Sequence, residues 1–143
     1  MQAFHDFDRS SALPVGWGVR ILALTASASD PVINRLAALG GPVEVETELY
    51  AALAALIDDP SGYGLFVMQC DDLGGAETGR LAMQTLAAVG SRVPVILISA
   101  EHRLQDFPFS RDEPVCLRAP LSAVSLRVGF EHALRGRLMW NAA

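Results

Sequence analysis

The residues with the clearest potential for chemistry follow a short apolar run in the middle of the chain. Residues 65–68 are all apolar, and the polar group 69–72, which includes Asp71 and Asp72, comes directly after them. An unbroken apolar run that ends just before a pair of glycines predicts a strand buried on both faces. In an open parallel sheet, ligands and reacting groups sit at the carboxyl end of such a strand. Two carboxylates at this place could bind a cation or act as a nucleophile.

Alternating strands and helices must position this polar group. Strands are predicted at 19–24, 43–47, 63–69, 93–99 and 115–117, and helices at 31–39, 49–57, 76–89 and 123–138. This alternation predicts one flavodoxin-like α/β domain, with a doubly wound five-stranded parallel sheet and helices on both faces. Right-handed crossovers make 2-1-3-4-5 the natural strand order. The segment 100–113 is polar and contains Pro108, so we expect the fourth helix to be shortened or irregular.

Length and composition restrict the class of protein. The chain has 143 residues, of which 51% are hydrophobic and 19% are charged, as expected for one folded domain. We expect an irregular leader at 1–17 and the domain at 18–140. No apolar run is long enough to span a bilayer, and the N-terminus lacks the pattern of a signal peptide, so we expect a cytoplasmic protein without membrane contact. The net charge of −5 argues against direct binding of nucleic acid by this domain.

Several stretches, in the same order along the chain, resemble the receiver domains of two-component response regulators. The resemblance covers about residues 19–137, and the run that begins at Tyr63 is similar to the third strand of chemotaxis-type receivers. Residues 94–101 resemble their fourth strand, including a hydroxyl residue, Ser99, that is followed by a small residue. Thirty positions separate Gln69 from Ser99, which equals the spacing of phosphoacceptor and hydroxyl in that family. Residues 117–122 resemble the junction that opens the last receiver helix.

The resemblance implies five chemical parts, and most of them are missing here. Receivers use an acidic pair to hold Mg²⁺, a carboxylate that accepts the phosphoryl group, and a hydroxyl and a Lys that bind the phosphoryl oxygens. The matching positions hold Thr25 and Ala26 for the acidic pair, Gln69 for the acceptor, Ser99 for the hydroxyl and Ala119 for the Lys. All eleven basic residues of the chain are Arg, so no other Lys is available. The sequence therefore predicts a degenerate receiver, or pseudo-receiver, that is neither phosphorylated nor catalytic.

The remaining polar residues near this position offer weak alternatives. Asp71 lies where receivers use a backbone carbonyl toward the metal, and without an acidic pair Asp71 and Asp72 are weak candidates for a metal site. We therefore expect no metal and no cofactor. Asp72 is predicted to be a loop or helix-cap residue. Ser99 is predicted to hydrogen-bond the nearby backbone.

A loop rich in hydroxyl groups supports a second class of function. Residues 25–29, from Thr25 to Ser29, precede a predicted helix, and such a loop could hold a phosphate through backbone N–H groups and the helix dipole. Flavodoxins hold a flavin phosphate at a similar place, so the alternative is a protein that binds a mononucleotide or an anion. The loop lacks the glycine that is usual there, and the simpler interpretation is a helix cap by Ser29 or Asp30.

The cysteines and histidines show no arrangement for catalysis or metal binding. Cys70 and Cys116 are expected to be two buried, inert thiols, and Cys116 also stands where receivers place their switch aromatic. The three histidines are scattered and are expected to lie on the solvated surface.

The last third of the chain is the predicted contact surface. The apolar residues of the final helix recur every four positions, which leaves Arg127 and Arg135 free beside the broken segment that carries Phe107 and Phe109. Arg and aromatic residues are over-represented at protein interfaces, so this face, with Arg118, is predicted to bind a protein partner or a second copy of the chain in a two-fold dimer. The chain also ends without a clear stop, which agrees with a longer regulator that carries a downstream output domain.

Overall fold

A computed structural model describes residues 18–135, which contain a five-stranded sheet in the order β2-β1-β3-β4-β5 with every neighbouring pair parallel. The strands are β1 (Ile21–Leu24), β2 (Val43–Glu46), β3 (Leu65–Gln69), β4 (Val95–Ser99) and β5 (Val115–Arg118). The helices are α1 (Pro31–Ala38), α2 (Leu49–Asp58), α3 (Ala76–Ala88) and α4 (Ala123–Ala133). The predicted fold and strand order are confirmed. The predicted leader, 1–17, and the last part of the predicted domain, 136–140, lie outside the described residues.

Two apolar layers hold the helices against the sheet. Residues of β3 alternate between them: Leu65 and Val67 face the layer that α1 and α4 cover, whereas Phe66 and Met68 face the layer that α2 and α3 cover. All four side chains are buried, as expected for a central strand of a parallel sheet. The edge strand β2 is more exposed and alternates in polarity, as its sequence predicts.

Polar side chains fix where the helices begin. Asp30 caps α1, because its Oδ1 accepts a hydrogen bond of 2.9 Å from the backbone N–H of Val32, and Pro31 occupies the first helical position. Ser122 caps α4 in the same way through the N–H of Ser125, as its sequence position predicts. Among the helices of residues 18–135, none is long and apolar enough to cross a membrane.

The connection between β4 and β5 contains no helix, which agrees with the predicted irregular segment. Asp106 pairs with Cys116 in an antiparallel bridge, so the connection passes along the outer edge of β5. Phe107 then packs against the layer of α1 and α4, and Pro108 is buried. The connection therefore runs around the edge strand, and the part of the sheet next to α3 has no helix from this crossover.

Side chains at the C-terminal end of α4 and just after it hold the connection in this path. The guanidinium of Arg135 donates to the carbonyl oxygens of Pro108 at 3.1 Å and Phe109 at 2.7 Å. His132 Nε2 lies 2.7 Å from the same Pro108 oxygen, and its ring meets Phe107 edge-on at 5.7 Å between centroids. The expectation that Arg135 is free is therefore wrong.

The surface position predicted for the histidines is also wrong for the two that the structure describes. His132 is half-buried between α4 and the connection, and His102 is half-buried with Nδ1 2.9 Å from the carbonyl oxygen of Leu117. Both rings hold parts of the β4–β5 connection in place. His5 lies outside the described residues.

Candidate functional site

The carboxyl edge of the sheet gathers most of the positions that the receiver resemblance singles out. Gln69 at the end of β3 is in register with Ile98, and Ser99 ends the neighbouring strand β4. Thr25 follows β1, and the N–H of Ala119 donates to the carbonyl oxygen of Ser99 at 3.2 Å. Parallel strands end on the same side of a sheet, so these residues become neighbours although they are far apart in the sequence.

The chain turns sharply after β3. Cys70 N–H donates to the carbonyl oxygen of Ile98 at 2.9 Å, and a single 3₁₀ turn, Asp71–Leu73, follows. Gly75 then has φ +89°, and a Cβ built there would lie 2.2 Å from Oε1 of Glu101. A residue other than glycine would therefore strain the backbone and displace the side chain of Glu101, which follows β4. This turn directs Asp71 back toward β4.

Asp71 is bound by two donors from the end of β4. The hydroxyl of Ser99 donates to Oδ1 of Asp71 at 2.5 Å, and the backbone N–H of Ala100 donates to Oδ2 at 2.8 Å. The same Ser99 oxygen accepts a bond of 3.0 Å from the N–H of Glu101. Ser99 is fully buried, whereas Asp71 is exposed. A hydroxyl and an amide that could bind an external anion are thus already occupied by a carboxylate of the chain itself.

The role of Asp71 differs from the one expected from the sequence. The expected hydrogen bond of Ser99 with nearby backbone is present, since Ser99 accepts from the N–H of Glu101. The link to Asp71 depends on how tightly the chain turns after Cys70. The available signal was an acidic residue two positions after Gln69, just beyond the strand next to the one that ends in Ser99.

The two acidic residues after β3 have different surroundings. Both oxygens of Asp71 accept hydrogen bonds, and Asp72 lies in the 3₁₀ turn with an exposed side chain. Across residues 18–135, no three His, Cys, Asp or Glu side chains come together in a group that could hold a metal ion. Thr25 is buried, and Ala26 is exposed next to it, at the positions matched to the receiver acidic pair.

The loop at residues 25–29 satisfies its own polar groups. Thr25 Oγ1 donates to the carbonyl oxygen of Ser27 at 2.7 Å, and the hydroxyl oxygens of Ser27 and Ser29 lie 2.8 Å apart. The carboxylate of Asp30 occupies the N-terminus of α1. A negative charge already stabilises the positive end of this helix dipole, so a phosphate brought to the same place meets repulsion.

The two cysteines are neutral thiols in apolar surroundings. Burial raises the pKa of Cys70 to about 12, and burial also raises the pKa of Cys116. Cys70 packs closely on α3, since a Cβ built on Gly79 would lie 2.8 Å from its sulfur. Neither thiol is held as a thiolate, which is the nucleophilic form. Cys116 is only half-buried, so the expectation of two buried thiols is correct for Cys70 alone.

The predicted contact residues divide into two groups. Phe109 is 101% exposed, and Arg118 and Arg127 are also on the surface. Arg118 donates to the carbonyl oxygen of Arg103 at 3.0 Å, and Arg127 pairs with Glu131 one turn further along α4. Phe107 and Arg135, by contrast, hold the β4–β5 connection in place. Only the first group leaves its side chains exposed to solvent.

Comparisons with known proteins identify the fold. No protein-family model matches the chain, and no curated protein matches it. A response regulator receiver domain protein from Clostridium thermocellum superposes with a TM-score of 0.67 at 13% identity, over 85% of this chain and 98% of that one. A pilus assembly-related protein from Burkholderia pseudomallei K96243 gives a TM-score of 0.60 at 16% identity, over 82% of this chain and 90% of that one. The chain therefore has a receiver-like fold.

Proposed function

We propose that this chain is a receiver-like signalling domain of the cytoplasm that acts through protein contacts and does not depend on phosphorylation. It belongs, on this proposal, to a two-component-type or transcriptional regulatory pathway. The observation that carries the proposal is the carboxylate of Asp71 between the Ser99 hydroxyl and the Ala100 N–H. The position matched to the phosphoacceptor is Gln69, a neutral amide that is no nucleophile for phosphoryl transfer.

Asp71 gives a physical reason for independence from phosphorylation. The resemblance implies that the hydroxyl at the end of β4 responds to an added phosphoryl group. Here that hydroxyl already donates to a permanent negative group, so the receiver-like edge holds one state without a modification. Shifting a two-state equilibrium from 1:99 to 99:1 requires about 5.5 kcal/mol of differential binding, and a contact with another protein can supply it.

The surface that fits such a contact is the exposed group of Phe109, Arg118 and Arg127. Phe109 is fully exposed at the tip of the connection, and both arginines reach solvent. Exposed aromatic and arginine side chains are residue types that are over-represented at protein interfaces and contribute strongly to their binding energy. The partner is another protein or a second copy of this chain, with no direct nucleic-acid contact by this domain.

The alternative, a flavodoxin-like protein that binds a mononucleotide or an anion at residues 25–29, is less favoured. The hydroxyls of that loop bond one another and the loop backbone, and Asp30 occupies the helix N-terminus. A protein that copurifies with flavin, or whose loop amides shift when a mononucleotide is added, would favour the alternative.

The proposal is tested on the intact chain with a photo-crosslinking residue in place of Phe109. The captured protein is identified, and its affinity is then measured with and without acetyl phosphate and Mg²⁺. We expect no effect of acetyl phosphate and a loss of at least tenfold for Phe109→Ser combined with Arg127→Glu. Tyr50→Ser is the matched control, because Tyr50 is an exposed aromatic residue on α2, 77% accessible. An affinity that rises with acetyl phosphate would contradict the proposal.

A further inference from the structure

A groove lies beside α3 on the face of the sheet opposite α4. Its volume is about 480 Å³. Leu97 of β4 and Cys116 of β5 line it on the side of the sheet, and Met83 and Ala87 of α3 line it on the side of the helix. These four side chains are apolar, so water in the groove gains little from them. Such a concave apolar surface favours an apolar occupant.

The groove is open because the β4–β5 connection takes another path. The crossovers β1–β2, β2–β3 and β3–β4 each contain one helix, whereas the last crossover follows the outer edge of β5 to the opposite layer. The open space therefore lies where a helix of this crossover would have packed. It extends along α3 from Ala76 to Ala87, which is roughly 16 Å at about 1.5 Å per residue, or about three helical turns.

The rim of the groove differs in charge between its two ends. Near the start of α3, Glu77 and Arg80 form an ion pair with each other. Near the start of β5, Asp112 and Glu113 are two adjacent exposed acids that line the groove, and residues 18–135 record no ion pair for either one. Arg92 and Arg111 lie beside them but do not line the groove itself, so within the groove the two acids favour a positive group on the occupant.

We propose that this groove binds an amphipathic helix of a partner protein. The helix is about three turns long, carries Leu- or Met-sized side chains on one stripe, and places its basic N-terminal end over Asp112 and Glu113. The apolar residues of the groove would contact the apolar side chains of the helix. The acidic end would attract both its basic residues and the positive end of its dipole. This inference rests on the proposed function, because it names the kind of partner that the domain takes.

A second copy of this chain is a poorer occupant. An exposed apolar face of its described helices that also carries a basic group is on α4, where Val124 and Val128 are 73% and 47% exposed beside Arg127. That face and the groove lie on opposite sides of the sheet. One copy docking its α4 into the groove of the next gives a head-to-tail contact, which cannot form the two-fold dimer that is commonest among oligomers. A separate partner helix avoids this.

The test uses the full chain and two synthetic peptides of fourteen residues. Both peptides carry leucines at helical spacing, and they differ only in having two arginines or two glutamates in the first turn. Cys116 reports occupancy, because it lines the groove, and the fully buried Cys70 serves as the internal reference for unfolding. We expect the arginine peptide at saturation to slow modification of Cys116 by a thiol reagent at least tenfold. The glutamate peptide should bind at least about fivefold more weakly.

Two matched variants locate the peptide. Ala87→Glu places a charge in the groove and should weaken the arginine peptide at least tenfold, whereas Ala88→Glu, also exposed on α3 but not lining the groove, should leave it unchanged. Asp112→Asn with Glu113→Gln should remove the preference for the arginine peptide. Circular dichroism of each variant checks that the fold is retained.

Several outcomes would overturn the inference. One is an unchanged rate at Cys116 with the arginine peptide at millimolar concentration, and another is equal binding of the two peptides. Sedimentation that shows self-association removed by Ala87→Glu would make a second copy the occupant. If the crosslinked partner tolerates Ala87→Glu but is lost with Phe109→Ser and Arg127→Glu, the groove inference fails and the proposed function stands. Affinity that depends on acetyl phosphate would instead contradict the proposed function.

Discussion

The carboxyl edge of the sheet and the side of the molecule along β5 satisfy their surfaces in opposite ways. At the carboxyl edge, donors are used by the chain's own carboxylates: Asp71 accepts from Ser99 and Ala100, and Asp30 accepts from the first turn of α1. Along β5, Phe109 is fully exposed and the groove beside α3 lacks the helix that the other crossovers provide. At the carboxyl edge the polar donors have acceptors within the chain, whereas along β5 apolar surface is left uncovered.

This difference is the reason for proposing a contact surface along β5 and not a site at the carboxyl edge. In an open parallel sheet the carboxyl edge is where a ligand site is expected. Here that edge has a neutral amide at Gln69 and a carboxylate held in place at Asp71. Apolar surface without cover is the feature that usually marks a binding site. The first region should therefore depend on the carboxylate of Asp71, and the second on the anchor at Arg135.

The largest effect is expected where the connection along β5 is anchored. Arg135→Ala removes the donors to the Pro108 and Phe109 carbonyls and should lower the free energy of unfolding by about 2 kcal/mol, because the charged donor is half-buried. Arg127→Ala is the control and should change it by no more than about 0.5 kcal/mol, since its pair with Glu131 is exposed. Urea unfolding measures both. Similar losses for the two variants would show that Arg135 anchors nothing.

A smaller effect is expected at the closed carboxyl edge. Asp71→Ala leaves the Ser99 hydroxyl and the Ala100 N–H without their acceptor and should lower the free energy of unfolding by about 1–2 kcal/mol. Water can replace part of the interaction because Asp71 is exposed. Asp72→Ala, one residue along the same turn, should cost no more than about 0.5 kcal/mol. If the two aspartates contribute equally, Asp71 does not close this edge.

The smallest effect on stability is expected at an exposed polar cluster that belongs to neither region. Tyr63 Oη donates to Glu44 at 2.5 Å and Arg20 pairs with it at 2.8 Å, and these hydrogen bonds, that of Tyr63 first, hold the pKa of Glu44 below its usual value. A depressed folded pKa gives stability above the unfolded pKa of about 4.3, which is lost as the pH falls through the folded value.

Replacing Glu44 should remove that pH dependence. Glu44→Gln should cost no more than about 0.5 kcal/mol at pH 7, because the side chain is 44% exposed and solvent screens the pair. The difference from the wild type should begin to shrink near the unfolded pKa of about 4.3 and vanish once the pH is below the depressed folded pKa. Glu46→Gln on the same strand is the control, and thermal unfolding between pH 3 and pH 7 provides the measurement. A difference that persists at low pH would exclude the carboxylate as its source.

The fold could be predicted because its signals are local. Strand burial, the Asp30 and Ser122 caps and the edge position of β2 all follow from residue types within a few positions of one another. The irregular path after β4 was also predictable, because Pro108 and the polar residues around it offer no apolar period. A local sequence pattern is enough to predict an element that must bury one face.

The contacts that close the site were not predictable in the same way. Asp71 follows β3 and bonds Ser99 at the end of the neighbouring strand β4. The 3₁₀ turn that brings them together produces no periodic pattern in the sequence. The roles of His132 and Arg135 depend on where the connection passes. Since that connection has no pattern of its own, the sequence could not show which carbonyl oxygens α4 would meet. Long-range polar contacts between irregular segments are therefore the part that required the structure.

Phosphoryl uptake tests the central proposal most directly. The chain is incubated with acetyl phosphate and Mg²⁺, beside an active receiver domain as a positive control, and its intact mass is measured. Because Gln69 is a neutral amide and the chain contains no Lys, we predict an unchanged mass while the control gains one phosphoryl group. A gain of one phosphoryl group that disappears in Asp71→Asn would contradict the account, because Asp71 would then be an acceptor and not a permanent stand-in.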